Sequence, residues 1–283
     1  TPTGRGRCYS PTRGLIESIL RPAMVADWPA RAWGRLPWTS DIRLLELDIP
    51  VPLPQGVELR VAFASDIHVG PTTPMPLLRR MVERLNSMRA DVLLLGGDYV
   101  FLDATKERLD LLRELIGAVD APVKLGVWGN HDLWADHHGI ARALEAAGVR
   151  MLVNEAVRLA PPFHDIAILG LDEPWTGAAD ADQAVNACGD ARIRLGLVHS
   201  PDGMLMLKDH GLDLVVCGHT HGGQVALPGG RPIIVPGAGG KIWPHGLHQV
   251  GGTPLFVSRG IGGIEIPVRA WAPPDVALFR LRG

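Results

Sequence analysis

Five short polar clusters hold the side chains best suited to chemistry. They are Asp66 with His68, Asp98, Asn130 with His131 and Asp132, His199, and His219 with His221. Carboxylate oxygen, amide oxygen and imidazole nitrogen are hard-to-borderline donors for divalent cations. Each fragment alone is weak. Asp-x-His arises by chance, Gly-Asp is common in turns, and a lone histidine at a strand end is more often hydrogen-bonded than ligating. The joint pattern is more specific, because every cluster follows an apolar run. Glycines flank most of them (Gly96, Gly97, Gly129, Gly218, Gly222, Gly223) and permit tight turns and close backbone approach.

The elements that must position these residues can be read from periodicity. Leu59–Ala64, Val92–Leu95, Val123–Trp128, Ile166–Leu169, Arg194–Val198 and Leu214–Cys217 read as short buried strands. Between them lie helical stripes: Met75, Leu77, Leu78, Met81, Val82, Leu85 and Met88, then residues 103–117, then Gly139–Ala147 with Gly148 as its C-cap. This alternation predicts an α/β domain, and in open α/β sheets ligands bind outside the carboxyl ends of strands. After Gly222 the texture changes to short strands at Ile233–Val235, Leu255–Ser258 and Val276–Leu281, expected to form a second sheet that closes the domain.

Composition bounds the alternatives. At about 150 residues per domain, 283 residues allow one or two domains. Hydrophobic residues make up 46% and charged residues 20%, which excludes a disordered or fibrous chain. A net charge of -2 leaves no bulk electrostatic footprint for nucleic acid. The 3 cysteines are far apart and odd in number, which argues against a disulfide scaffold or a thiolate zinc site. Cys188 and Cys217 read as small apolar fillers. No apolar run approaches membrane-spanning length, and no charged n-region precedes an apolar one. The chain starts at Thr1 without Met, so the expectation leaves open a leader removed before it.

The sequence divides at residues 1–56 and 57–283. The first part is expected to be an arm, with Leu15, Ile16, Ile19, Leu20 and Ala23 at helical spacing and a Trp/Arg flank (Trp28, Trp33, Trp38; Arg21, Arg31, Arg35). Two readings stand: an amphipathic arm packed across the main domain, or a segment, residues 14–38, lying on a membrane surface.

The ordered set Asp-x-His, Gly-Asp, Gly-Asn-His-Asp, His and Gly-His-x-His resembles the calcineurin-like metallophosphoesterase superfamily, and spans Asp66 to His221. The run Gly218–Gln224, with Phe256–Gly260 and Pro267-Val268-Arg269, is similar to the bacterial membrane-associated phosphodiesterase-like subgroup. Some members of that subgroup cleave the pyrophosphate of UDP-diacylglucosamine. The resemblance implies a four-layer α-β-β-α sandwich of two mixed sheets flanked by helices. It also implies two divalent cations (Mn, Fe or Zn). Asp66, His68, Asp98 and His221 would hold one, and Asp98, Asn130, His199 and His219 the other. A hydroxide between the cations would attack phosphorus in line, with His131 over the leaving-group oxygen. Asp132 is expected to orient an imidazole or to cap a helix in solvent.

The function so implied is hydrolysis of a phosphodiester or pyrophosphate, lipid-linked or nucleotide-sugar substrates included. Its expected setting is the cytoplasm, with peripheral contact at the inner membrane face. The alternatives are a catalytically silent metal-binding scaffold, a soluble nucleotide phosphodiesterase, and an oxidoreductase built on two histidines and a carboxylate. The shared aspartate favours phosphoryl chemistry. Outside the motifs, His137 and His138 are expected to be solvated, and His164 and His210 to form surface pairs. His245, His248, Lys241 and Arg259 are secondary candidates for substrate contact.

Overall fold

The structure, a computed structural model, describes residues 8–283 and, at Trp38, the backbone alone. Residues 1–7 of the expected arm lie outside the described residues. The strands are β1 (Arg43–Pro50), β2 (Glu58–Ala64), β3 (Val92–Leu95), β4 (Val123–Gly126), β5 (Val149–Met151), β6 (Glu155–Arg158), β7 (Ile166–Gly170), β8 (Ile193–Leu197), β9 (Leu214–Cys217), β10 (Gly246–Val250), β11 (Thr253–Val257) and β12 (Asp275–Arg282). The helices are α1 (Pro11–Ala23), α2 (Trp28–Trp33), α3 (Met75–Ser87), α4 (Lys106–Gly117), α5 (Asn130–Trp134), α6 (His137–Ala146), α7 (Ala181–Asn186), α8 (Asp202–Leu207) and α9 (Ala238–Ile242).

Two six-stranded mixed sheets result, in the orders β1-β12-β2-β3-β4-β5 and β10-β11-β9-β8-β7-β6. The period of two along each strand explains why they stack. Val61, Phe63, Val92 and Leu94 of the first sheet meet Ile166, Ile168, Leu195, Val216 and Phe256 of the second in one buried core. The alternate residues Ala62, Ala64, Leu93 and Leu95 turn outward under Leu78, Met81, Leu112, Ile116 and Leu144 of α3, α4 and α6. On the far side, Leu169, Val215, Cys217 and Leu255 are covered by Ala184 of α7 and by Met204 and Leu207 of α8. Helix, sheet, sheet and helix therefore form the four expected layers. Cys188 and Cys217 are buried in this outer core as apolar filler, and burial pushes both thiols up.

The tail differs from expectation. It does not build the second sheet alone. β10 and β11 join that sheet, but β12 inserts between β1 and β2 of the first, parallel to β1 and antiparallel to β2. Ile233–Val235 is not a strand: Ile233 and Ile234 are exposed and find no ladder partner over this stretch. Within the segment expected as an arm, β1 is the edge strand of the first sheet. Among the described residues, no helix is long and apolar enough to cross a membrane.

α1 starts at Ser10, whose side chain accepts from Arg13 N–H. Its inward stripe is Arg13, Glu17, Leu20 and Met24. Glu17 is buried, and Met24 packs with Phe101, Leu102 and Leu20. The opposite face carries exposed Leu15 and Ile19. The first half of the helix thus turns charged Arg13 and Glu17 inward while apolar Leu15 and Ile19 stay exposed, unlike an ordinary surface helix.

Candidate metal centre

Loops at the carboxyl ends of β2, β3, β4, β8 and β9 converge on one point and deliver every cluster that the sequence singled out. Two buried groups form there, Asp66–His68–His221 and Asp98–His199–His219, with ligand atoms in each group within 4.8 Å of one another. Asp98 joins them. Its Oδ2 lies 3.5 Å from His68 Nε2 and 3.5 Å from His199 Nε2. Asn130 Oδ1 lies 3.1 Å from His199 Nε2, and His221 Nε2 is 3.5 Å from Asp66 Oδ1.

The backbone that holds these groups is itself unusual. Asp66, His68, Asp98, His219 and His221 all have positive φ, between 47° and 71°. A non-glycine residue in this region costs about 1–3 kcal/mol and persists only where its surroundings over-determine it. The strands buried on both faces provide that constraint. Close approach does the rest. A Cβ at Gly129 would overlap the Asp98 carboxylate and backbone, and one at Gly218 would overlap Ser65 and Asp66.

Neighbouring groups stand behind several of these imidazoles. His199 Nδ1 lies 2.7 Å from the Gly96 carbonyl, so Nδ1–H donates there and Nε2 is the nitrogen turned towards the ligand cluster. His219 instead brings Nδ1 to 3.0 Å from His199 Nε2. Behind His221 sits the buried guanidinium of Arg269, 3.1 Å from its Nδ1 and also donating to the carbonyls of Arg259 and Ala272. Burial, set against the pull of Asp275 and Asp66, lowers Arg269 to about 10.

Electrostatics suit a cation. Burial lowers His68 to about 4 and His219 to about 3, and holds His221 well below the usual imidazole range, so these rings present neutral nitrogens. Burial would raise Asp98, yet His199, His131 and His68 hold it well below the carboxylate range. Burial would likewise lower His199, but Asp98 and Asp66 raise it to about 10. The carboxylates thus draw positive charge into a dry pocket that neutral imidazoles can share. Carboxylate, amide and imidazole donors gathered this way fit a pair of divalent cations.

His131 belongs to neither ligand group. Its N–H donates to Asp98 Oδ1 at 2.9 Å, and its ring packs against His68, Phe101 and Trp134. Asp132 does cap the start of α5, accepting the Gly129 N–H, but it does so from a buried position and orients no imidazole. The cap is fully buried where an exposed one was expected, and its carboxylate is taken entirely by backbone. It accepts from the N–H groups of Asp98 (2.8 Å), Tyr99 (2.8 Å) and Gly129 (2.9 Å), pinning the β3 and β4 loops together. Burial and nearby Asp98 push Asp132 up, against three donors that favour its charged form. Asp132→Ala would strand those three buried donors, each at about 1–3 kcal/mol. The variant is expected to melt at least ~5 °C lower in a calorimetric scan. A midpoint within a degree of wild type would refute the clamp.

Of the secondary candidates, His245 binds the Gly230 carbonyl and Arg259 faces Asp275, so their polar ends are engaged in the fold. His164 lies beside the adjacent Asp165 at 3.8 Å, whereas His210 faces Asp182 at 3.7 Å and not its sequence neighbour Asp209. His137 was expected in solvent but is buried edge-on to Trp128; His138 is exposed.

Three neighbours of the site carried no motif. Trp175 is half exposed and sits edge-on to Trp134 and His219. Glu173 is buried, with Oε2 taken by Thr176. Arg13 of α1 reaches His131. A cluster of polar residues at a strand end would have flagged Glu173, since Asp172-Glu173 follows β7 as the other clusters follow theirs.

The sequence profile of the calcineurin-like phosphoesterase family matches residues 59–223. The chain is 29% identical over 235 residues to the metallophosphoesterase YkuE of Bacillus subtilis, covering 81% of this chain and 82% of that protein. It is 28% identical over 226 residues to the phosphodiesterase YaeI of Escherichia coli, with 78% and 82% covered. A third relative, protein YpbG of Bacillus subtilis, is 26% identical over 272 residues, 95% of this chain and 96% of that one.

Proposed function

Because the chain belongs to the calcineurin-like phosphoesterase family and is a metal-dependent phosphoric ester hydrolase, we propose that it cleaves a phosphodiester or pyrophosphate bond in a membrane-borne, acylated substrate, of which UDP-diacylglucosamine is one example. The observation that carries the chemistry is the pair of buried ligand groups joined by Asp98. In this reading Asp66, His68, Asp98 and His221 hold one cation, and Asp98, Asn130, His199 and His219 the other. Bound there, two divalent cations supply Lewis acidity, make water more acidic and neutralise phosphoryl charge. The chain does the rest. Asp98 fixes the spacing of the two groups. Gly96 fixes the His199 tautomer. His131 stands beside the cluster as hydrogen-bond donor to the departing oxygen. Asp132 keeps the loops in register.

Two apolar surfaces support an acylated substrate. One is the outer face of α1 with its continuation: Leu15, Ile16, Ile19, Val25 and Trp28 are exposed, followed by exposed Arg31 and Arg35. An apolar helix face with flanking arginines suits an anionic bilayer. The other is the irregular stretch holding exposed Ile233 and Ile234, whose backbone lies against Gly223, two residues from His221. The alternative, a soluble nucleotide phosphodiesterase, needs neither surface.

One experiment separates the two. Wild type and Leu15→Asp/Ile19→Asp are compared on UDP-diacylglucosamine in phosphatidylglycerol vesicles and on bis(p-nitrophenyl) phosphate in solution. Point substitutions are preferred to removing residues 1–56, because β1 belongs to the first sheet. Burying one large apolar side chain contributes about 1.5–3 kcal/mol, so the variant should lose at least ~10-fold in rate on vesicles and keep its rate in solution. Equal rates of both proteins on vesicles would overturn the membrane reading. Cleavage of nucleotide diesters with none of the lipid would select the alternative.

A further inference from the structure

We propose that Arg13, from the N-terminal helix α1, is a positioning residue of the active site: it holds His131 with Nδ1 as acceptor, so that Nε2–H serves as the hydrogen-bond donor to the departing oxygen. The proposal rests on the leaving-group role given to His131 above.

The contact spans 118 residues of sequence and is closely built. Arg13 Nη2 lies 3.3 Å from His131 Nδ1. A guanidinium has donors only, so the imidazole nitrogen facing it must accept. A ring that accepts at Nδ1 bears its hydrogen at Nε2. The guanidinium is in turn held from several sides. Nε pairs with Glu17 at 3.1 Å, Nη1 with Glu265 at 2.6 Å, and the plane lies 4.7 Å from the centre of the Trp134 ring. Trp134 also packs against His131, so one aromatic ring buttresses both partners. Only 12% of the Arg13 side chain is exposed.

The geometry also explains why α1 turns Arg13 and Glu17 inward. Glu17 accepts from Tyr9 and Arg21 as well as from Arg13, and Arg21 reaches on to Asp103. The outcome of this network is a single guanidinium directed at a site residue. The same helix presents Leu15 and Ile19 outward, so one element carries both the exposed apolar face and the site contact.

Two variants test the proposal in the zinc-loaded chain of residues 1–283. Arg13→Ala removes the donor. Arg13→Lys keeps the positive charge and an ion pair, but one ammonium cannot serve Glu17, Glu265 and His131 together. Both are assayed on methyl aryl phosphodiesters graded in leaving-group acidity, beside His131→Ala. Imidazole nitrogen shifts are recorded by long-range 15N–1H correlation. Both Arg13 variants are expected to lower kcat about tenfold on the poorest leaving groups and less on p-nitrophenolate, with KM within about twofold, a fraction of the factor that acid–base groups usually contribute. The His131 nitrogen signals should move, and Arg13→Ala should add nothing to His131→Ala. Wild-type rates and nitrogen shifts in Arg13→Lys, with His131→Ala impaired, would overturn the proposal alone. A change confined to KM would overturn it too, by placing Arg13 on the substrate. Full activity in His131→Ala, with the His131 nitrogen signals of the histidine-containing protein still sensitive to Arg13, would overturn the leaving-group reading instead.

Discussion

Asp98→Ala is expected to remove nearly all turnover and to lower the bound divalent metal below two equivalents. Asp98 faces both ligand groups, through Oδ2 at 3.5 Å from His68 and from His199. Its other oxygen accepts the His131 N–H. One substitution therefore removes the shared anion, separates the two sites and frees the loop that carries His131. Losing a single preorganised electrostatic contact commonly costs 10²–10³ in kcat, so a fall of about 10³ or more is expected here. Asp98→Asn sharpens the test. Its amide oxygen can still accept from His131, but the charge is gone. If the shared charge matters, the Asn variant should bind metal almost as poorly as the Ala variant. Elemental analysis beside turnover of bis(p-nitrophenyl) phosphate gives both readouts. Two equivalents of metal and full turnover in Asp98→Ala would defeat the shared-carboxylate reading.

The residues that form the centre were legible because each follows a run buried on both faces. Val92–Leu95 and Leu214–Cys217 read as strands residue for residue, since apolar stretches of four bounded by polar or glycine residues have few alternatives. Edges were harder. β6 is Glu-Ala-Val-Arg, only half buried at the margin of its sheet, and β5 is three residues long. Neither has enough apolar signal to stand out. Where β12 inserts is set by pairing with β1 and β2, more than 200 residues earlier, and no local pattern encodes that. Ile233–Val235 has strand-like residues but no partner, so side-chain preference alone did not decide its state.

Within the site the limit lies elsewhere. Residue types and order marked the ligands, but not the left-handed backbone of five of them, because aspartate and histidine are enriched at positive φ yet adopt it far less often than glycine. Asp132 was noticed for its place beside His131. Its task of binding three backbone N–H groups depends on how the β3 and β4 loops meet. Arg13 had no signal, since an arginine in a helical arm is ordinarily solvated. Apolar residues on α1 were visible, yet the sequence could not tell which stripe faced inward.

His131→Ala is the complementary experiment, expected to spare the metals and strike the chemistry. His131 lies in neither ligand group, so both equivalents of cation should remain, in contrast to Asp98→Ala. Its ring is buried between His68, Phe101 and Trp134, and truncation leaves a space lined by aromatic rings. The backbone N–H that binds Asp98 survives the substitution. The shared carboxylate should therefore keep its place. What is lost is the polar end of the side chain. A positioned acid–base group contributes typically 10²–10⁴-fold, and kcat should fall by a factor in that range with KM little changed. The loss should be greatest for substrates whose departing oxygen most needs a proton or hydrogen bond. Loss of metal from His131→Ala would make the residue part of the binding site and not of the chemistry. Retained metal with undiminished kcat on every leaving group would leave the departing oxygen to be stabilised by the cations or by water. Either result would separate His131 from the reaction while leaving Asp98 at its centre.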